Sequence, residues 1–237
     1  MRILHLPDTH LGRSGAFRCF ERALSQAWRF DAVLHTGDLF DRSEPPPNAI
    51  EQARSAFAEL ARRIPVIVLA GNHDRHGVGR SLRTLPAAVR IVDVPAVVHL
   101  AEIRIGCIPH TPDAEIWAAQ ARELATRGYD LLAAHQSFDG VRVPGFTFRP
   151  GRPQETVGAA GIPAGTSHIA CGHLHPHQVV HVGGAEVVCA GSTVRTSARE
   201  GPGPKGTVAW TFGARTSWAF VPHAEREPVV ELPGVPF

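Results

Sequence analysis

Lysine is almost missing: of the 24 basic residues in this 237-residue chain, Lys205 is the one lysine and the rest are arginines. With 22 acidic residues the formal charge is only +2, which argues against the strongly basic body of a protein that coats nucleic acid. Also absent is any C-x-x-C pair. Cys19, Cys107, Cys171 and Cys189 stand far apart and read as reduced, buried small hydrophobes rather than a zinc knuckle or a disulfide frame. No apolar run approaches the roughly 18 residues that a membrane span needs. The apolar start Met1 to Leu6 ends at Pro7-Asp8, too short for the core of a secretion signal. These absences predict a cytoplasmic protein.

What is present is a core-forming composition, 43% hydrophobic and 19% charged, at a length that predicts one α/β domain over residues 1–237. Short apolar runs at residues 2–6, 32–36 and 65–70 read as buried strands. Between them, apolar residues at helical spacing predict helices over 16–30 and 47–63, with Pro47 tolerated in a first turn. Runs at 89–94, 96–100 and 103–108 lie too close together for helices between them and predict antiparallel pairing. A third helix follows, with Thr111 as its cap and Asp113 and Glu115 complementing its dipole. Further strands are expected at 131–134, 168–171, 179–182, 186–189, 207–212 and 218–221. The Gly- and Pro-rich stretches 144–165 and 200–206 read as surface loops. Two sheets face to face with helices outside accommodate this order.

Five of the strand ends carry metal-ligand side chains: Asp8-x-His10, Gly37-Asp38, Gly71-Asn72-His73-Asp74, His135, and Gly172-His173-Leu174-His175. Strand ends are where distant segments of an α/β protein converge on one crevice. Residues at i and i+2 leave an extended chain on one side, so each D-x-H or H-x-H pair can aim at one point. Oxygen and imidazole donors without thiolate suit manganese, iron or zinc, and Asp8, His10, Asp38, Asn72, His135, His173 and His175 are too many for one tetrahedral ion. Two divalent ions fit better, with Asp38 as a short-stemmed bridge. Set against Asp8 and Asp38, they leave a net charge of about +2 to attract a phosphoryl group.

In order and spacing these blocks resemble the signature of the calcineurin-like metallophosphoesterase superfamily. The resemblance implies a four-layer αββα sandwich of two mixed sheets flanked by helices, and a dinuclear centre. It implies that Asp8, His10 and His175 hold one metal, that Asn72, His135 and His173 hold the other, and that Asp38 bridges them. His73 matches the histidine that protonates the leaving oxygen, and Asp41 the residue that orients it; a solvated turn is the competing account of Asp41. Asp74 reads as the cap of the following turn rather than as a metal ligand. His177 continues the 173, 175 spacing as a candidate substrate contact, although Pro176 breaks the register. The wording HLPDTHLG, GDLFDRSEPP, IPVIVLAGNHDR, ACGHLHPHQ and AGSTVRTSARE with Lys205-Gly206 resembles, more narrowly, the SbcD-type DNA repair exonuclease subunits and the catalytic subunits of double-strand-break repair nucleases.

The expected function is hydrolysis of DNA phosphodiester bonds by two divalent ions, manganese before iron or zinc. A phosphoesterase for a cyclic nucleotide or a phosphomonoester is the alternative, and a scaffold with a retired site is disfavoured because no ligand is missing. Arg13, Arg75, Arg142, Arg149, Arg152, Arg195 and Arg199 are candidate phosphate contacts in loops. Only a short Pro-rich stretch follows residue 221, where the family's capping and ATPase-binding regions would come. The expectation is therefore action on single-stranded or frayed DNA without a coiled-coil ATPase.

Overall fold

The computed structural model describes residues 1–74, 81–143, 153–197, 200 and 203–223. Strands β1 (Arg2–Leu6), β2 (Ala32–His35), β3 (Val66–Leu69) and β4 (Val89–Val92) lie parallel and side by side. Antiparallel to β1 runs β13 (Gly206–Thr211), with β14 (Ser217–Pro222) beyond it, completing a six-stranded sheet. The second six-stranded sheet has a parallel centre of β6 (Ile103–Ile108), β7 (Leu131–His135), β10 (His168–Gly172) and β12 (Ala185–Cys189). Its edges are the antiparallel β5 (Ala96–Leu100) and β11 (Gln178–Val182).

Strand alternation explains why the chain forms layers. Ile3 and Leu4 are adjacent in β1 and must face opposite ways. Ile3 packs between the sheets with Leu34, Ile67, Ile105, Leu131 and Trp210, whereas Leu4 faces the helices with Phe20 and Phe57. Those helices are α1 (Ala16–Leu24) and α2 (Pro47–Ala61), whose Phe20 and Phe57 rings meet edge to face at 5.4 Å. On the outer face of the second sheet, α3 (Ala114–Arg127) buries Trp117 and Leu124 over Leu132 and Ile169. Three separate cores therefore cement helix, sheet, sheet and helix, the expected four layers. All four cysteines are free and buried within them. Among the described residues no helix is long and apolar enough to cross a membrane.

Several local expectations need correction. The strand at 89–92 does not form a hairpin with 96–100; it joins β3 in parallel, and the short step between β4 and β5 is where the chain changes sheets. Only β5 and β6 form the expected antiparallel pair. The first helix stops at Leu24, where the Ser25 hydroxyl bonds the Arg22 carbonyl at 2.7 Å and competes with the helical ladder. A separate 3₁₀ turn, Ala27–Arg29, follows, and Trp28 lies exposed beneath the Arg63 guanidinium. Asp113, not Thr111, caps α3, accepting from Glu115 N and Ile116 N at 2.8 and 3.0 Å. Within the stretch read as a loop, residues 144–152 lie outside the described residues, and Thr156–Val157 forms a short strand, β9, beside β8 (Ser137–Phe138).

Two buried histidines sit at the floor of the strand ends, each satisfied as a neutral ring. His5 Nδ1 accepts from Trp210 Nε1 at 3.4 Å, so its Nε2–H donates to Thr36 Oγ1 at 2.9 Å. His35 Nδ1 accepts from Gly37 N at 3.2 Å, so its Nε2–H donates to Thr9 Oγ1 at 3.1 Å. Burial, aided by neighbouring imidazoles, lowers both from 6.5 to about 3. Below pH 6.5 the unfolded chain binds protons that these folded sites refuse, so stability must fall as pH drops from there toward 3. At pH 5.5 each ring costs on the order of 1 kcal/mol relative to high pH. The melting temperature is expected to be lower at pH 5.5 than at 7.5, and by a smaller margin in His5→Gln. An identical margin in that variant would remove His5 from the responsible groups.

Candidate metal centre

Both sheets present the C-terminal ends of their parallel strands at the same end of the molecule. Asp8 and His10 follow β1, Asp38 follows β2, and Asn72 and His73 follow β3; from the second sheet come His135, the last residue of β7, and His173 and His175 after β10. All seven expected ligands therefore meet in one crevice between the sheets: the aspartates and histidines fall in groups whose donor atoms lie within 4.8 Å of one another, and the Asn72 side chain reaches His135 and His173.

One group comprises Asp8, His10 and His175. The Nε2 atoms of His10 and His175 face each other at 3.0 Å. His175 Nδ1 is committed to Glu200 Oε1 at 2.9 Å and Thr196 Oγ1 at 2.8 Å, which turns the Nε2 lone pair inward. His10 Nδ1 stands 3.5 Å from Asp41 Oδ1. A cation held between these two nitrogens would take the place of the proton they share.

Asp38, His135 and His173 make another group. His135 Nδ1–H donates to the Thr36 carbonyl at 2.7 Å, and its Nε2 faces Asn72 Oδ1 at 2.9 Å and Asp38 Oδ2 at 3.5 Å. His173 Nδ1 reaches the same Asn72 oxygen at 2.9 Å. Burial works against charging His135, but Asp38, with help from Asp8, raises its pKa to about 9. The pairing also holds Asp38 below the usual carboxylate range despite its burial, whereas burial pushes Asp8 up. A divalent ion here would take the place of that proton. Two carboxylates, four imidazoles and an amide oxygen, without thiolate, fit manganese, iron or zinc.

The loops close on one another through these same carboxylates. Asp8 takes the His173 backbone N–H on both oxygens at 3.0 Å, and Asp38 takes that of His73 at 2.9 Å. Such approach requires glycine at the crossing points. A Cβ on Gly71 would lie 2.2 Å from Asp38 Oδ1, and one on Gly172 would lie 2.4 Å from the Thr36 carbonyl. Left-handed backbone also departs from the extended geometry expected of the i, i+2 pairs. His10 and His173 have φ of 49° and 85°, and these turns send His173 and His175 to different groups rather than to one point.

The model of the calcineurin-like phosphoesterase family matches residues 1–177. This chain belongs to that family. Calcineurin-like phosphoesterases are metal-dependent hydrolases, and the crevice supplies the donors such an enzyme needs. The SbcD subunit of the nuclease SbcCD from Bacillus subtilis is 28% identical, over 76% of this chain and 58% of its own length. DNA double-strand break repair protein Mre11 of Sulfurisphaera tokodaii is 27% identical, over 79% of this chain and 52% of its own. The chain thus spans about half the length of the curated relatives it matches. Purple acid phosphatase PPD1 from yellow lupin seeds shares the fold, with a TM-score of 0.64 at 15% identity over 92% of this chain and 49% of that one.

Within this calcineurin-like phosphoesterase, other expected residues take different places. His73 Nδ1–H donates to the Asp41 backbone carbonyl at 2.7 Å, so Asp41 touches His73 through its main chain; its carboxylate goes to Arg13 at 2.9 Å. His73 Nε2 stands 3.9 Å from Asp38 Oδ2, near enough that position alone does not separate it from the ligands. Asp74 is a cross-brace, accepting from Gly71 N, Leu39 N and Phe40 N; the following turn that it was expected to cap lies outside the described residues. Burial, reinforced by Asp38, raises its pKa to about 7. His177 is structural: its ring stacks on Phe220 at 3.9 Å and its Nδ1 donates to the Cys189 carbonyl.

Arg13 is engaged with Asp41 and the Thr196 carbonyl, and Arg195 donates to the Gly203 carbonyl. Arg75, Arg149, Arg152 and Arg199 lie outside the described residues. Two site residues were missed. His110 lies with its ring 5.9 Å from that of His135 and 5.6 Å from that of His173, and the lack of any spacing signal hid it. Glu200, read as part of a surface loop, is buried against His175; its place at the end of AGSTVRTSARE and the lone lysine five positions on were the marks that could have found it.

Gly71→Ala is expected to keep the fold by circular dichroism and to bind manganese about 10–100-fold more weakly, as when a ligand's support is removed. Retention of the wild-type affinity would show that the loops do not depend on this approach.

Proposed function

We propose that this chain is a cytoplasmic two-metal phosphodiesterase that cleaves DNA, a nuclease of the SbcD kind, folded as one metallophosphoesterase domain over residues 1–237. The observation that carries the proposal is the convergence of Asp8, His10, Asp38, His135, His173 and His175, with Asn72 beside them, at the strand ends of a calcineurin-like phosphoesterase whose curated relatives are named as part of a nuclease and as double-strand-break repair proteins. Manganese is the favoured metal, on the mixture of carboxylate and imidazole donors.

Two divalent ions bound there would polarise the phosphoryl oxygens and lower the pKa of a water molecule. Asp8, His10 and His175 are assigned to one ion, Asn72, His135 and His173 to the other, and Asp38 to both. Asp38 would hold both ions, since its carboxylate belongs to a group with His10 and to another with His135 and His173. His73 is assigned to the leaving oxygen. Its Nδ1–H is spent on the Asp41 carbonyl, and the ring, 39% exposed, presents Nε2 to the cleft as the atom that holds the proton. Asp41 acts here as a positioning residue through a backbone atom, so Asp41→Ala is expected to preserve the orientation of His73.

Linear and circular DNA, with manganese and with magnesium, test the substrate. Cleavage is expected, falling as salt rises because the phosphates supply the attraction. Hydrolysis of small phosphodiesters or phosphomonoesters without hydrolysis of DNA would favour the small-substrate reading instead. Matched single-stranded and blunt duplex substrates, without ATP, test the proposed preference for unpaired or frayed strands. Activity seen only with an added ATPase partner would overturn the partner-free reading. His73→Asn is expected to retain both ions and to slow cleavage by about 10²–10⁴-fold. Asp38→Asn should lose metal and activity together, and equal metal loss in both variants would make His73 a ligand.

A further inference from the structure

Downstream of the residues matched by the family model, the chain returns to the crevice with one acid and its one lysine. Glu200 is only 8% exposed. Its Oε1 accepts from His175 Nδ1 at 2.9 Å, from Thr196 N at 3.0 Å and from Thr196 Oγ1, while Oε2 accepts from Lys205 Nζ. The Lys205 ammonium has three protons. One goes to Glu200, one to the His175 carbonyl at 2.9 Å and one to Ser192 Oγ at 2.7 Å. Ser192 itself bridges to Asp8. None of the three is left for a substrate phosphate, so Lys205 in this arrangement is a strut rather than a phosphate contact.

We infer that Glu200 and Lys205 are a positioning pair for the Asp8–His10–His175 site, holding His175 with Nδ1 protonated and Nε2 turned inward and so setting the affinity of that site for its metal. The pair acts on one half of the centre. Both imidazoles of this group face a carboxylate, His175 that of Glu200 and His10 that of Asp41 at 3.5 Å, whereas His135 in the other group is backed by the neutral Thr36 carbonyl. A carboxylate behind an imidazole fixes its tautomer and strengthens it as a donor. Lys205 keeps the buried carboxylate from standing as an uncompensated charge, and its second and third bonds tie the His175 main chain to the segment beside Asp8. The inference rests on the two-metal reading above.

Titration of the metal-free full chain with manganese, followed by calorimetry and electron paramagnetic resonance, tests it. Wild-type protein should take up two ions and show a spin-coupled pair. In Glu200→Ala one binding step should weaken about 10–100-fold while the other stays within about twofold, and one equivalent should give the six-line spectrum of an isolated ion. Glu200→Gln, which keeps an oxygen acceptor and the shape, should recover part of the loss, and Lys205→Met should weaken the same step by a smaller factor. In the metal-free protein, nitrogen NMR should find His175 as the Nδ1–H tautomer in wild type and as a mixture in Glu200→Ala. Unchanged steps and tautomer in the Glu200 variants, with two ions bound by wild type, would overturn this inference alone; so would equal weakening of both steps. Fewer than two ions on wild type would overturn the two-metal reading and this inference with it.

Discussion

The buried carboxylates of Asp8 and Asp38 hold the strand-end loops together. Each receives a backbone N–H from a loop that starts on another strand, His173 for Asp8 and His73 for Asp38. The Asp38 carbonyl in turn accepts from Thr9 N and His10 N at 3.1 Å. The atoms that would meet metal are therefore the atoms that position the loops. A side chain serving both purposes cannot be moved for one without disturbing the other.

That economy concentrates strain. Among the described residues, four non-glycine residues have positive φ, and three of them, His10, Asp38 and His173, belong to the centre. Each left-handed residue costs on the order of 1–3 kcal/mol, which the surrounding structure must offset. The three cores supply the means, because they fix the ends of β1, β2, β3, β7 and β10 independently of the loops. Asp74 adds a second tie, bonding backbone N–H groups on both the 37–40 and the 71–74 turns.

Around the first group of ligands the outer contacts form a closed ring. Asp41 faces His10 and pairs with Arg13; Arg13 donates to the Thr196 carbonyl; Thr196 and Glu200 both bond His175 Nδ1. The ring joins segments from both sheets. It explains why an arginine expected to greet phosphate is employed in support, and why Asp41 leaves the contact with His73 to its backbone carbonyl.

Much of the centre was legible in the sequence because it depends on local rules: apolar runs end where glycine permits a turn, and Asp, Asn and His follow at those ends in a recognisable order. The same rules placed most of the strands and the second helix within a few residues. They erred wherever a long-range contact decided. Residues 89–92 look like half of a hairpin, but register with β3 captures them. His173 and His175 look like one pair, but left-handed backbone at His173 and the Asp8 carboxylate beneath it send them to separate groups. By itself, the sequence determined which donors stand at which strand ends, since type and spacing are local properties. Only the tertiary structure decided which distant acid and lysine support them. Such partners are chosen by proximity across the packed sheets, and no periodicity in the chain records it.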